Sequence, residues 1–390
     1  MREQLRQASR SSKRQRHARR TAASIAAVVA LGVITAGALV YSPASAAAPD
    51  RVQQSLDALV RADGMPAALA SVKDRDGRYR TYTAGVADLA THSPVPADGR
   101  VRIGSNTKAF TAVVVLQLVG ENRIGLGATV DTYLPGLVRG NGINGRHITI
   151  RQLLQHTSGL PDYGDSLNVS AMQHRYIEPR DLLDIALRGK AHFPPGTKWE
   201  YSNTNYLLLG LIVQKITGRP VGEEIDRRVI KRIGLRDTYF PAQGDMSVEG
   251  PHPHGYFKDP ATGALRDFTR MDPAWAWAAG ALISTGSDLD RFYSALLAGR
   301  LMPAAQLAQM QTTVPAPPLG EGVRYGLGLV SRPLSCGGVY WGHGGDIPGY
   351  KTRGGATADG RAANVAVTGQ ARDKRAAAHV EEAVDTALCH

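Results

Sequence analysis

Between Ala67 and Ala84 apolar and polar residues alternate on both sides of Asp76-Gly77, and a two-residue period broken by such a dipeptide predicts a β-hairpin. The same period returns near the other end of the chain. There Gly338 to Trp341 and Gly349 to Ala356 are expected strands, and Asp359-Gly360 turns the chain into another from Ala363 to Val367. Between these ends apolar positions recur at helical spacing over Lys108–Val119, Ile150–Gln155, Pro179–Leu187, Thr204–Ile216, Val221–Ile233 and Leu289–Leu297, and a closing helix is expected from Asp373 to Leu388. The pattern predicts an α/β chain of the α+β type: one antiparallel β-sheet formed from both chain ends, flanked by helices and carrying a mostly helical inserted subdomain. The sheet region would draw on residues of about 50–110 and 290–390 and the helical subdomain on about 111–289.

Composition adds location and partners. A chain of 390 residues, 43% hydrophobic, can bury a large core. Its formal charge of +12 suggests a polyanionic partner until the charge is located. Residues 1 to 20 hold eight basic side chains against one acid, so +7 sits there and only +5 is spread over the rest. No basic stripe remains to match a phosphate backbone, and nucleic acid is not an expected partner. From Thr21 to Ala48 nothing is charged, and the apolar stretch Ile25–Val40 runs into Ser42, Pro43, Ala44, Ser45 and Ala46. Basic head, apolar middle and small-residue end are the order of a secretory signal. Residues 1–46 are therefore expected to be a signal peptide cleaved after Ala46, with the domain at 47–390 working outside the cytoplasm. An uncleaved anchor is the alternative, since the uncharged run is long enough to span a bilayer, and membrane contact would be confined to it. The two cysteines, Cys336 and Cys389, fit a single disulfide in an exported chain or two buried thiols. No cysteine or histidine spacing predicts a metal, and no cofactor is expected.

Three short motifs carry candidate chemistry. Ser105-Asn106-Thr107-Lys108 opens a helix that is apolar nearly all round, and such a helix is buried. Ser105 in its first turn lies near unpaired N–H groups and the positive end of the dipole, with Lys108 on the same face. A desolvated lysine lowers the cost of taking a serine proton; a plain helix N-cap is the structural alternative. Trp199-Glu200-Tyr201-Ser202-Asn203 follows the turn signal Pro194-Pro195-Gly196. Tyr201 offers a phenol able to act as a base if nearby cations hold it ionised, and Asn203 an amide that can meet a substrate carbonyl and the lysine together. A buried tyrosine beside an N-cap asparagine is its alternative. In Trp341-Gly342-His343-Gly344-Gly345-Asp346 the glycines let a ligand or a backbone approach a strand closely, and His343 is either a donor to the site or an ordinary hydrogen-bonded histidine.

Each motif alone is weak, but in this order and separated by long segments they resemble the serine penicillin-recognising enzymes with the class C β-lactamase fold, most closely secreted D-alanyl-D-alanine carboxypeptidases. The resemblance runs from about residue 50 to the end and includes the segments Leu153–Leu160, Tyr201–Tyr206, Gly280–Thr285 and Tyr325–Leu329. It implies that Ser105 is acylated, that Lys108 and Tyr201 handle its proton, that Asn203 binds the acyl-side amide and that His343 faces the tyrosine. It implies an oxyanion hole from the backbone N–H groups of Ser105 and Asp346, a cleft lined by Trp275 and by the Gly344-Gly345 strand, and a structural role for His156.

The resemblance fails where such carboxypeptidases hold the carboxylate of the terminal D-alanine. The arginine position is Val330, and the two hydroxyl positions are Gly344 and Asp346. An aspartate aimed at a carboxylate repels it. Arg332, Lys351 or Arg353 is a candidate substitute, and strand alternation alone leaves open which of them faces the cleft. The expectation is a monomeric secreted serine hydrolase of carboxypeptidase type, acting on D-amino-acid peptides of cell-wall kind, with D-aminopeptidase, esterase or β-lactamase activity as alternatives on the same machinery. Expected partners are small peptide, amide or ester substrates, with β-lactams as candidates. A non-catalytic binder of peptidoglycan stems or penicillin is the alternative from another class.

Overall fold

The N-terminal hairpin forms β1 (Ala67–Lys73) and β2 (Tyr79–Gly85), with Leu69 opposite Thr83. The structure is a computed structural model that describes residues 50–259, 262–371 and 373–390. The expected signal peptide at 1–46 lies outside them. The other strands of the sheet come from the C-terminal part: β3 (Val314–Pro315), β4 (Arg324–Tyr325), β5 (Val330–Pro333), β6 (Val339–Gly342), β7 (Gly345–Ile347), β8 (Tyr350–Thr357) and β9 (Ala362–Thr368). Among the described residues they form a nine-stranded sheet in the order β2-β1-β9-β8-β6-β5-β4-β3, with β7 beside β8 and each of these pairs antiparallel. The chain ends meet at β1 and β9, where Ala70 lies opposite Val365, as the alternation predicts. Pro315 is accommodated because β3 is an edge strand, where a missing N–H breaks no inner ladder.

Helices cover both faces. α1 (Arg51–Arg61) and α7 (Lys374–Cys389) bury Val52, Leu56, Leu59, Val380, Val384 and Leu388 against Val365 and Val367 of β9. The reading of the sequence passed over α1, although Asp50 accepts from the Val52 N–H as its N-cap and Val52, Leu56 and Leu59 mark one helical face. A disulfide joins Cys336, in the β5–β6 turn, to Cys389 at the end of α7. On the opposite face α6 (Gly286–Leu297) packs on β1, β8 and β9.

The inserted part centres on α2 (Thr107–Gly120), in which every residue from Thr107 to Leu118 is buried. Around it lie α3 (Ile150–Leu154), α4 (Pro179–Leu187) and α5 (Asn203–Thr217), which share its core. The helix expected over 221–233 departs from regularity: Val221–Ile225 widens into a π-helical stretch, Asp226–Ile230, beside the buried Glu224, before Lys231–Ile233 ends at Gly234 with φ of 67°. Among the described residues no helix is long and apolar enough to cross a membrane.

Candidate active site

Ser105 is the one residue between Val101 and Phe110 that is not buried. It sits in a 3-10 turn, Gly104–Asn106, immediately before α2, whose cap position is Asn106, so Ser105 is not the N-cap of the helix. The turn is pinned from several sides. Asn106 donates to the Ile103 carbonyl at 3.2 Å and to Thr352 of β8 at 2.8 Å, and accepts from Tyr293 of α6 at 2.6 Å. Thr107 donates to the Gly104 carbonyl at 2.8 Å. Gly104 has φ of 48°, and a Cβ there would stand 3.1 Å from the Asp346 nitrogen, so this backbone lies against the strand that carries Asp346. A Cβ on Gly345 would stand 1.9 Å from the Ile103 carbonyl oxygen. The two glycines therefore let the serine turn and the strand edge meet, with the Asp346 peptide beside the serine.

The Lys108 amine, fully buried, donates to Ser105 Oγ at 2.9 Å, Asn203 Oδ1 at 2.7 Å and the Ala279 carbonyl at 2.8 Å. Three acceptors use all three of its protons when it is charged. Burial nevertheless draws it down from 10.5 to about 7, against the pull of the Asp162 carboxylate. It therefore exchanges its proton near neutrality. Tyr201 hydrogen-bonds to Ser105, yet burial pushes its phenol well above the usual 10. The lysine lies 4.8 Å from the Tyr201 ring centroid and does not hold the phenol ionised. Tyr201 is thus neutral near pH 7, contrary to the expectation of a cation-stabilised phenolate, because the cost of burying the anion exceeds the gain from its neighbours.

Asn203 is the first residue of α5 rather than its cap. Asp162 fixes its amide, accepting from the Asn203 side chain at 2.8 Å and from its backbone N–H at 3.0 Å, so that Oδ1 turns to the lysine. The sequence reading missed Asp162; its signal is its place directly after Leu160-Pro161, where the Leu153–Leu160 segment ends. His156, at φ of 59°, accepts on Nδ1 from the Ser202 N–H at 3.2 Å and from Asn205 at 3.0 Å, and its ring stacks on Tyr201 at 4.3 Å. It props the tyrosine loop from below.

His343 is buried and faces Tyr201 at 6.4 Å between ring centroids. Both of its nitrogens are engaged, Nδ1 with the Gly344 carbonyl and Nε2 with the Tyr325 hydroxyl at 3.0 Å. Burial and the Lys108 charge take it down to about 3, so it is a neutral ring that shapes the cleft. Trp275 is placed differently from the expectation. It packs on the helical core, accepts from Tyr163 through its carbonyl at 2.8 Å, and does not line the cavity at Ser105.

That cavity, of about 490 Å³, is lined at the catalytic end by Ser105, Tyr201, Asn203 and His343 and elsewhere by Val330, Gly344, Asp346, Arg332, Arg353 and Glu381. Asp346 is not the bare charge expected from the sequence. The register of β7 and β8 sets it opposite Lys351, which holds Oδ1 at 2.7 Å, while Arg353 holds Oδ2 at 2.7 Å. Desolvation by the surrounding strands opposes its ionisation although the side chain is 62% exposed, and the two cations keep its carboxyl below the usual carboxylate range. Among the described residues no cluster of metal-ligating side chains occurs.

A serine bonded to a buried, near-neutral lysine, set where an antiparallel sheet meets a buried helix, is the arrangement of serine hydrolases of the penicillin-recognising class. Comparison of whole chains agrees: residues 52–387 match the sequence profile described as Beta-lactamase, and the chain belongs to that family. It is 28% identical to Penicillin-binding protein 4* of Bacillus subtilis over 70% of this chain and 61% of that one. It is 29% identical to a D-aminopeptidase of Cereibacter sphaeroides over 84% of this chain and 61% of that one. The chain thus spans about three fifths of the length of these two relatives. Among solved structures, a D-stereospecific amidohydrolase from Streptomyces sp. superposes with a TM-score of 0.79 and 40% identity, covering 85% of this chain and 97% of that one.

Proposed function

We propose that this chain is an acyl-transfer serine hydrolase that cleaves D-aminoacyl amides, esters and peptides, rather than a carboxypeptidase reading a terminal D-alanine carboxylate. The observation that carries this reading is the wall beside Ser105: Val330 and Gly344 offer no donor side chain, and the neighbouring Asp346 carries a negative charge already matched by Lys351 and Arg353. A carboxylate on a single leaving residue finds no free cation there. The D-aminopeptidase and D-stereospecific amidohydrolase relatives support the choice of substrate class.

In the proposed reaction neutral Lys108 takes the Ser105 proton as Oγ forms a bond to the acyl carbon, and the carbonyl oxygen takes the charge in the hole of the Ser105 and Asp346 N–H groups. On collapse the carbon–nitrogen bond breaks. Protonated Lys108 returns its proton through the Tyr201 hydroxyl to the leaving amine, and water then releases the acid by the reverse sequence. Asn203 orients the acyl side; Asp162 and His156 hold Asn203 and Tyr201 in place. Export, as a single-chain enzyme, is part of the same proposal, supported by the uncharged run Thr21–Ala48 and by the Cys336–Cys389 bond.

The test compares D-alaninamide and D-alanine methyl ester with N-acetyl-D-alanyl-D-alanine, with Ser105→Ala as control. The amide and ester are expected to show kcat/KM at least about tenfold above the free-acid dipeptide, a difference of about 1.4 kcal/mol, with no turnover in the control. Faster cleavage of the acetylated dipeptide would overturn the reading.

A further inference from the structure

We infer that Arg332 reads an anionic group on the leaving-group side of the substrate, at a distance that suits a departing peptide of two or three residues rather than a single amino acid. The inference rests on the acyl-transfer reading above and names its substrate class more closely. Val330 and Arg332 are two residues apart on β5 and so share a face of the sheet, and both line the cavity at Ser105. Val330 pairs with Gly342, the neighbour of His343, whereas Arg332 pairs with Tyr340, two residues farther from the catalytic segment. Two residues along a strand cover about 6.6–6.8 Å. An extended peptide residue spans at most about 3.3–3.6 Å. With the carboxylate of a single leaving amino acid at Val330, the position the resemblance implies, a peptide two residues longer brings its carboxylate level with Arg332, and one residue longer brings it about halfway, from where the long arginine side chain covers the rest.

Of the two cations that line the cavity, Arg332 and Arg353, the ionic contacts leave Arg332 with capacity to spare; Lys351, on Asp346, does not line it. Lys351 and Arg353 share Asp346, and every guanidinium nitrogen of Arg353 is engaged: Nε with Glu381 at 2.5 Å, Nη2 with Asp346 at 2.7 Å, and Nη1 with the Thr352 and Gly345 carbonyls at 2.7 and 3.2 Å. Arg332 donates through Nη2 to the Leu319 carbonyl at 3.0 Å and otherwise meets only Glu381, at 3.4–3.5 Å, a carboxylate it shares with Arg353. Its Nη1 has no acceptor among the described residues. The row Lys351, Asp346, Arg353, Glu381, Arg332 alternates in sign and ends on this cation, so three positive charges face two negative ones. Gly344, without a side chain, and the apolar Val330 leave the path to it open.

The experiment uses the full chain and the series D-Ala-(Gly)n, with n from one to three, each as the free acid and as the C-terminal amide, alongside D-alaninamide. The amide is expected to be preferred at n of one, and the free acid by about tenfold or more at two or three, mainly through KM, as one charge-assisted hydrogen bond would give. Arg332→Gln should erase the acid preference and Arg332→Lys should keep part of it. Absence of an acid preference at every length in the wild type, or its survival in Arg332→Gln, overturns the inference while leaving the proposed function standing. Should Arg332→Gln fail to fold by circular dichroism, the wild-type length series and Arg332→Lys decide. Failure to cleave any member, D-alaninamide included, overturns the proposed function and this inference with it.

Discussion

The Lys108 amine is drawn down by burial rather than by a neighbouring cation, and this fixes the sign of the pH dependence. Above about 7 the amine is mostly neutral and able to take the Ser105 proton; below it the amine holds its own proton and the base is lost. In the proposed mechanism kcat/KM for D-alaninamide is therefore expected to fall about tenfold per pH unit below this value, with Tyr201 and His343 contributing no further step between pH 5 and 8. Asp162 raises the lysine, so Asp162→Asn should move this acid limb to lower pH. A stopped-flow or initial-rate profile of both proteins checks the shift; a purely structural role for Asp162 would lower the rate without moving the limb. Of these residues, Ser105 and Lys108 are legible as a pair from their three-residue spacing and Tyr201 through the resemblance that the three motifs carry together, whereas Asp162 becomes visible only when its segment folds against the start of α5.

The serine turn works because elements far apart in sequence grip it. Thr352 of β8 and Tyr293 of α6 both bond to Asn106, and Ala279 supplies the third acceptor of the lysine. No periodicity announces these partners, since each is an ordinary residue of its own element. The closing helix α7 was legible as a helix, but its contribution to the cavity, Glu381, was not. Its disulfide closes a sequence separation of 53 residues, and a loop of that size restricts the unfolded chain strongly. Cys336→Ser with Cys389→Ser is expected to lower the free energy of unfolding by about 2–5 kcal/mol, read from urea unfolding followed by circular dichroism. A change below about 0.5 kcal/mol would show that α7 is held by its apolar face alone.

At the scale of the whole molecule, the proposed specificity rests on a cavity whose walls come from the serine turn, the Tyr201 loop, strands β5 to β8 and α7. The proposed weakness toward single leaving residues with a carboxylate extends to β-lactams, which carry such a group. Benzylpenicillin is expected to acylate Ser105 slowly, and Val330→Arg, which sets a guanidinium on the near wall, to raise the second-order acylation rate about tenfold or more, as one charge-assisted contact would. Mass spectrometry of the acyl-enzyme over time measures both. An unchanged rate in Val330→Arg would place the carboxylate elsewhere in the cavity.

The alternation around Asp76-Gly77 and Asp359-Gly360, the apolar run after Ser105 and the order of the three motifs determined the sheet built from both chain ends, the buried helix and the serine–lysine pair. These are local or periodic properties, set by covalent spacing and by which face of an element must leave water. Tertiary structure alone decided that the Asp346 charge is paired with Lys351 and Arg353, that Trp275 stands outside the cavity, that Tyr201 stays protonated and that Arg332, of the two cations lining the cavity, keeps capacity to spare. Each of these depends on strand register or on the depth of burial, and neither is set until strands pair and elements pack on one another.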